Sequence, residues 1–270
     1  MMKRFVSHIL VLALFFAGIR TASAQSIDQV FNEDILQHRV EMLDIFFERF
    51  NLEKDIEGNS LQGVRDPGLH RSYLLSLFDQ DYLIDTLDVQ RQDEVQTLVI
   101  SFLDAVTASR KPVTLAYSDS TWCAQVLCRC TYNKKECDVT LFLKPELVRP
   151  GEFKWVIFDA DAEFLHLTPD TLFVRGISPV EHEMKFLGLR EITDSHNNKS
   201  VVAYADKSYR VNPLTVFFTM IYDSKLTFNH VLNVQYHFFT VPGYHFTVQF
   251  RERPGYNAGW LITDLQKYEL

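Results

Sequence analysis

The chain has 270 residues, of which 47% are hydrophobic and 23% are charged, and this composition is typical of a folded globular protein. Its 35 acidic side chains outnumber its 27 basic ones, which gives a formal net charge of -8. Nucleic acids and anionic lipids bind clustered Lys and Arg, and because the chain has no basic run, both classes of partner are disfavoured.

The first segment is predicted to direct export. Lys3 and Arg4 precede an apolar stretch over residues 5–19, and Ala22-Ser23-Ala24 supplies the small residues of a cleavage site. The apolar stretch is shorter than the roughly 20 residues that cross a bilayer, so an uncleaved anchor is the less favoured alternative. We therefore expect a signal peptide over residues 1–24 and a periplasmic or extracellular mature protein with no stable membrane span.

Helix starts are marked by capping side chains and by proline at the first helical position. A further helix is predicted from apolar residues spaced at i, i+3, i+4 and i+7. The starts are Ser26 with Gln29, Asp66-Pro67, Ser178-Pro179 and Asn212-Pro213, and the apolar stripe comprises Val95, Leu98, Val99, Phe102, Leu103 and Val106.

A strand–turn–strand motif occurs twice. Each copy consists of a strand, an Arg-Pro-Gly turn and a second strand that reads Trp-x-Ile-x-Asp. The copies cover residues 139–144, 149–151 and 155–159, and then 246–251, 253–255 and 260–264. Such self-similarity indicates an internal repeat, so each half is predicted to contain helices followed by antiparallel strands.

Helices followed by long strands that end near Lys154-Trp155-Val156-Ile157 resemble the NTF2-like, or cystatin-like, α+β fold. The resemblance implies two tandem units, residues 25–168 and 176–270, each with helices packed on a curved antiparallel sheet. It also implies a cone-shaped pocket in a family that includes isomerases, dehydratases, epoxide hydrolases and non-catalytic binding modules. The second unit is shorter and lacks a counterpart of the long first helix.

The turns between strands predict which side chains share a face. A two-residue turn at Asn133-Lys134 sets Cys130 opposite Cys137 and separates apolar from polar residues. The same reasoning at Pro242-Gly243 sets His237 opposite Val248, on a face rich in phenylalanine. The predicted pocket lining consists of Phe239, Phe246, Val248, Phe250, Trp260, Trp155 and Asp159.

Four cysteines lie close together in the sequence, at positions 123, 128, 130 and 137. Export favours disulfides, and Cys130 with Cys137 is the favoured pair because facing residues on antiparallel strands have Cα atoms about 5.5 Å apart or less. Cys123 and Cys128 point to opposite faces of one strand, so their pairing stays open. A zinc site is the alternative, but it needs four convergent ligands, and no metal is predicted.

Three residues form the most economical catalytic hypothesis: His237, Asp264 and Tyr244. A titratable ring on an apolar face suits a general base, and an aspartate such as Asp264 or Asp159 would suit proton abstraction if it lay in an apolar pocket. The alternatives are a core histidine held by hydrogen bonds and solvated aspartates at strand ends. Tyr236 is a second candidate tyrosine, although the predicted register puts it on the other face.

Common catalytic motifs are absent from the sequence. It contains no Gly-x-Ser-x-Gly, His-Glu-x-x-His, Walker or Gly-x-Gly-x-x-Gly pattern. The leading hypothesis is therefore a non-catalytic exported binding or assembly module, without a cofactor, that takes a small apolar ligand, a peptide or a partner protein. The alternative is a small-pocket enzyme that performs general acid–base chemistry of the isomerase, dehydratase or hydrolase type.

Overall fold

A computed structural model describes residues 40–55, 57–84, 89–107, 112–166, 204–206, 208–254 and 257–268. The predicted signal peptide, the helix starts at Ser26 and Ser178 and the junction between residues 168 and 176 lie outside these ranges. Within them, no helix combines the length and apolarity needed to cross a bilayer.

Helices come first in the described chain, and strands dominate the rest. The helices are α1 (Leu43–Phe50), α2 (Pro67–Ser76), α3 (Gln80–Leu83), α4 (Val89–Thr107) and α5 (Pro213–Tyr222). The strands are β1 (Trp122–Tyr132), β2 (Lys135–Arg149), β3 (Glu152–Asp161), β4 (Leu226–Phe238), β5 (Tyr244–Arg251) and β6 (Gly259–Lys267). A short 3₁₀ turn (Glu163–Leu165) follows β3.

The strands form one six-stranded sheet in the order β3-β2-β1-β4-β5-β6. The pairings β4–β5 and β5–β6 are antiparallel, so the predicted α+β class is confirmed. The two copies of the Trp-x-Ile-x-Asp motif lie on β3 and β6, the first and last strands of this order.

Two predicted helix starts and the apolar stripe are confirmed. Asp66 caps α2 by accepting from the backbone N–H of Gly68, and Asn212 caps α5 by accepting from Thr215. Side-chain caps of this kind satisfy amide groups that have no partner within the helix. The stripe residues Val99, Phe102, Leu103 and Val106 are buried on α4, and Val95 and Leu98 pack beside them.

The chain divides into two compact units. Among the described residues, those within Met1–Ala124, Pro145–Lys154 and Gln235–Leu270 form unit 1, and those within Gln125–Lys144 and Trp155–Val234 form unit 2. The division into residues 25–168 and 176–270 stays a prediction.

The core of unit 1 is built from aromatic rings. Phe246 on β5 stacks on Phe50 of α1 at 5.8 Å and on Phe238 of β4 at 4.9 Å between ring centroids. All three rings are fully buried, which contributes roughly 1.5–3 kcal/mol each relative to exposure. We call the sheet face of unit 1 that carries Phe246 the core face, and the opposite one the outer face.

Unit 2 has its own apolar core. Cys128, Cys130, Val139 and Leu141 are buried on β1 and β2, as the predicted alternation requires. The predicted two-residue turn is confirmed, because Asn133 and Lys134 both have positive φ, at 48° and 66°. The Nε of Arg129 also lies 3.0 Å from Oδ1 of Asp138, its partner in the predicted register.

The predicted register between β4 and β5 is wrong by one residue. His237 lies opposite Thr247, and Phe238 lies opposite Phe246. The connection is longer than two residues, because β4 already ends at Phe238, and Val241 within the connection is buried. A side chain changes face with every residue, so the shift moves Phe238 to the core face and His237 to the outer face.

Candidate functional site

Six aromatic side chains of unit 1 contact one another in series, and we call them the aromatic row. The centroid distances are 6.5 Å for Phe153 and Tyr117, 5.7 Å for Tyr117 and Trp122, 6.0 Å for Trp122 and Tyr236, 4.8 Å for Tyr236 and Trp260, and 5.4 Å for Trp260 and Phe250. These separations are those of favourable aromatic pairs. The row therefore forms one continuous set of rings.

The register of the sheet brings these rings together. Phe250 on β5 lies directly opposite Trp260 on β6, and Tyr236 on β4 lies opposite Val248. Trp122 on β1 stacks on Phe238 at 5.4 Å and so joins the same face. Phe246 and Val248 are completely buried beside them, so these four rings stand on a packed core, whereas Tyr117 lies in the turn segment between α4 and β1.

The row is anchored in its middle and exposed at its ends. Phe153 is 37% exposed and Phe250 43% exposed, whereas Trp122 is buried. Two polar tips are fixed: the Tyr117 hydroxyl donates to Oδ1 of Asp44 at 2.6 Å, and Nε1 of Trp122 donates to the carbonyl of Ala116 at 3.1 Å. Such anchored aromatic rings offer contact area at little cost in conformational entropy.

Burial changes the titration of both tyrosines in the row. It raises the pKa of Tyr117, and the hydrogen bond to the Asp44 carboxylate raises that pKa further. Burial alone raises the pKa of Tyr236. Both hydroxyls are therefore neutral donors at physiological pH and unsuited to act as bases.

The predicted pocket residues separate into three groups. Phe246, Val248, Phe250 and Trp260 share the core face of unit 1. The prediction that Phe239 joins them is wrong, because the register shift leaves its ring stacked on His245 at 4.5 Å. Trp155, which is 44% exposed, and Asp159 belong to unit 2.

The predicted catalytic residues also separate. His237 and Asp264 both flank Thr247 in the register and share the outer face. The prediction that Tyr244 shares the His237 face is wrong, because Tyr244 lies two residues before Phe246 on β5 and so shares the core face, where its hydroxyl is hydrogen bonded to Oγ of Ser101 at 2.8 Å. Tyr117 and Trp122 were missed as site residues, and Tyr236 was named only as a second candidate tyrosine.

The outer face carries a histidine pair. Nδ1 of His237 lies 3.2 Å from Nε2 of His245, and Oγ1 of Thr247 lies 3.3 Å from the same Nδ1. Burial lowers the pKa of His237, the neighbouring His245 lowers it further, and Asp264 acts in the opposite direction. Burial also lowers the pKa of His245, against Asp264 and Gln266. Both rings are therefore neutral near pH 7, and a neutral imidazole can accept a proton from an acidic group.

The four cysteines are free thiols in the structure. Sγ of Cys137 lies 3.8 Å from the backbone carbonyl of Cys130, consistent with neighbouring positions on β1 and β2. Burial, with smaller contributions from nearby thiols, raises the pKa of Cys130 to about 11, so this thiol is a poor nucleophile. The Cys130–Cys137 disulfide stays a prediction.

Unit 1 also carries an open groove beside α4. This groove of about 500 Å³ is lined by Asp93, Glu94, Thr97, Leu98, Ser101 and Lys267. Over the described ranges, no group of three or more His, Cys, Asp or Glu side chains converges as metal ligands do.

Comparison with known proteins finds no matching family model, no similar curated protein and no similar solved structure. The function is therefore inferred from the geometry of this chain.

Proposed function

We propose that this protein is an exported, non-catalytic binding module whose ligand rests on the aromatic row of unit 1. The observation that carries the proposal is the unbroken series of five contacts that joins six rings from Phe153 to Phe250. Aromatic residues are enriched where proteins bind partners, because each ring removes a large apolar area from water. Because the ends of the row are exposed and its middle is anchored, a ligand can contact this apolar area without reorganisation of the core.

The ligand class follows from the side chains of the row. Six rings favour a small apolar ligand or an apolar stretch of a peptide. The tyrosine and tryptophan tips add a few fixed hydrogen-bonding groups, which is the usual composition of a small-molecule site. Asp44 contributes a carboxylate, but that carboxylate already accepts from Tyr117. These features support recognition rather than proton transfer.

A screen of thermal stability tests the proposal. Wild-type protein is heated with a panel of metabolites and apolar peptides, and a ligand that binds the native state should raise the Tm as its concentration rises. Trp260→Ala should abolish that rise. Trp155→Ala is the matched control, because Trp155 holds the same position of the repeated motif in unit 2, and it should retain the rise. Loss of the rise in both variants or in neither would contradict the assignment to the row.

A second candidate function is acid–base catalysis on the outer face. The observation that favours it is the half-buried His237–His245 pair on the face that also carries Asp264. Under this alternative, a compound of the panel would be converted to product by wild-type protein and by Trp260→Ala, but not by His237→Gln. Conversion that follows this pattern would replace the binding proposal.

We further propose that the chain arose by duplication of an NTF2-like unit. The support is topological: β1–β3 and β4–β6 are consecutive in the strand order, and each set ends with a Trp-x-Ile-x-Asp strand. Residues 71–79 (RSYLLSLFD), which begin within α2, resemble residues 183–191 (EMKFLGLRE) in sequence. The duplication therefore predicts a helix over residues 183–191, which lie outside the described ranges. Backbone chemical shifts would test this, and extended shifts over residues 183–191 would contradict it.

A further inference from the structure

The histidine pair of unit 1 stands apart from the aromatic row, because His237 and Tyr236 are consecutive on β4 and point to opposite faces. The distance of 3.2 Å between Nδ1 of His237 and Nε2 of His245 is that of a direct hydrogen bond between two imidazoles. Such a bond needs a proton on one nitrogen and a lone pair on the other. It therefore cannot persist when both rings are protonated.

Several elements surround this pair. On β5, Thr247 contacts His237, and on β6 the residues opposite His245 and Thr247 are Gln266 and Asp264. The hydrogen bond from Phe239 N, just after β4, to Thr121 O, just before β1, indicates that residue 123 of β1 lies opposite residue 237, so Cys123 shares the outer face. Burial raises the pKa of the Cys123 thiol, which keeps it neutral.

Asp264 provides one negative charge to this face. Its Oδ2 already accepts from Nε2 of Gln266 at 2.8 Å. One carboxylate in such a position favours a single imidazolium but does not balance two. A second proton on the pair therefore replaces a hydrogen bond by repulsion between like charges.

We propose that His237 and His245 form a proton-operated latch that joins β4 to β5 at neutral pH and releases these strands in acid. The latch also controls an exposed ring, because Phe239 stacks on His245 with an interplanar angle of 10°. Release frees this ring and loosens the short ladder of residues 235–238 and 246–249.

The direction of the pH effect follows from proton linkage. The pKa of each histidine is lower in the folded protein than its usual value of 6.5. The unfolded chain therefore binds more protons than the folded one in the window just below pH 6.5. Above this window, the neutral pair makes its full contribution to the free energy of unfolding. That contribution is lost as the pH falls through the pKa values that His237 and His245 have in the folded protein.

Amide hydrogen exchange at pH 7.5 and pH 5.0, corrected for the intrinsic exchange rate, tests the latch. In wild-type protein, amides of β4 and β5 that pair across residues 235–238 and 246–249 should lose at least about tenfold in protection at pH 5.0. In His245→Gln the loss should disappear, because glutamine can donate to Nδ1 of His237 but does not titrate. His230→Gln, which changes an exposed histidine of the same strand in unit 2, should behave as wild type.

Imidazole NMR titration of wild-type protein gives a second test that needs no variant. The latch predicts that His237 and His245 titrate in two separate steps, both below the usual value of 6.5. Titration of both rings together at or above pH 6.5 would overturn the proposal. Equal protection of β4 and β5 at the two pH values, or an unchanged loss in His245→Gln, would do the same.

Discussion

The rings of Tyr236 on β4 and Trp260 on β6 lie 4.8 Å apart, although β5 runs between their strands. Neighbouring strands are separated by about 4.8 Å, so the two backbones are about twice that distance apart and the side chains lean together across Val248. This contact links the two halves of the aromatic row, because Trp122 lies beyond Tyr236 and Phe250 beyond Trp260. It is the contact on which the continuity of the proposed binding surface depends.

The register of β4 gives the first prediction. Phe238→Ala should lower the free energy of unfolding by about 3–5 kcal/mol, because it removes a fully buried ring that stacks on Trp122 and Phe246. Phe239→Ala is the matched control, and its 45% exposed ring should cost less than about 1 kcal/mol. Urea denaturation measures both values. A larger loss for Phe239→Ala than for Phe238→Ala would contradict this register and support the one in which His237 faces the core.

The second prediction concerns a close approach between two backbones. Gly259 has a φ of +95°, and a Cβ there would overlap the carbonyl oxygen of Val40. Gly259→Ala should therefore lower the free energy of unfolding by at least about 3 kcal/mol, because the Val40–Gly259 bridge must break.

Gly151→Ala separates backbone strain from this clash. Gly151 has a similar φ of +82°, but an added Cβ would meet no atom within 4 Å. Gly151→Ala should lower the free energy of unfolding by about 1–2 kcal/mol, because only the left-handed backbone conformation disfavours alanine there. Equal losses for Gly151→Ala and Gly259→Ala in urea denaturation would show that the approach to Val40 is not as close as described.

The third prediction concerns a buried carboxylate. The Asp79 side chain is 1% exposed and pairs with Arg253 and with Nε of Arg251, the latter at 2.6 Å. Asp79→Asn keeps the shape and the capping oxygen but leaves Arg251 without this charge partner and Arg253 with Asp81 alone, and it should cost about 3–5 kcal/mol. Asp81→Asn, at a side chain that is 81% exposed, should change stability by less than about 1 kcal/mol. Similar unfolding midpoints for the two variants would refute this account of Asp79.

The fourth prediction concerns the cysteines. Protein secreted through an oxidising compartment should contain the Cys130–Cys137 disulfide, because these residues face each other across the turn at Asn133-Lys134. A peptide map under non-reducing conditions should recover the two cysteine peptides as one linked species. Recovery of both as separately alkylated peptides would reject the bond.

Local chemistry made parts of the fold predictable. The turn at Asn133-Lys134 and the cap at Asp66 were predicted because short-range geometry determines them. The register of β4 was not, because in the run His237-Phe238-Phe239 either phenylalanine fits an apolar pattern, and Val241 lies buried within what reads as a tight turn. The length of that connection is set by tertiary packing rather than by the Pro242-Gly243 pair.

The site was predictable only in part for the same reason. Phe250 and Trp260 were both predicted to line the pocket, and they are neighbours in the structure. Tyr117 was missed, because its hydrogen bond to Asp44 joins residues 73 apart in the sequence. No periodicity or motif carries information about such a contact.

The central claim is that ligand binds on the aromatic row, and indole NMR tests it most directly. The protein has three tryptophans, so each gives one resolvable indole N–H signal. Titration with the compound that raises the Tm most should shift the Trp260 signal with saturation and leave the Trp155 signal in place. A saturable shift of Trp155, or shifts of the His237 and His245 rings with Trp260 unchanged, would contradict the account.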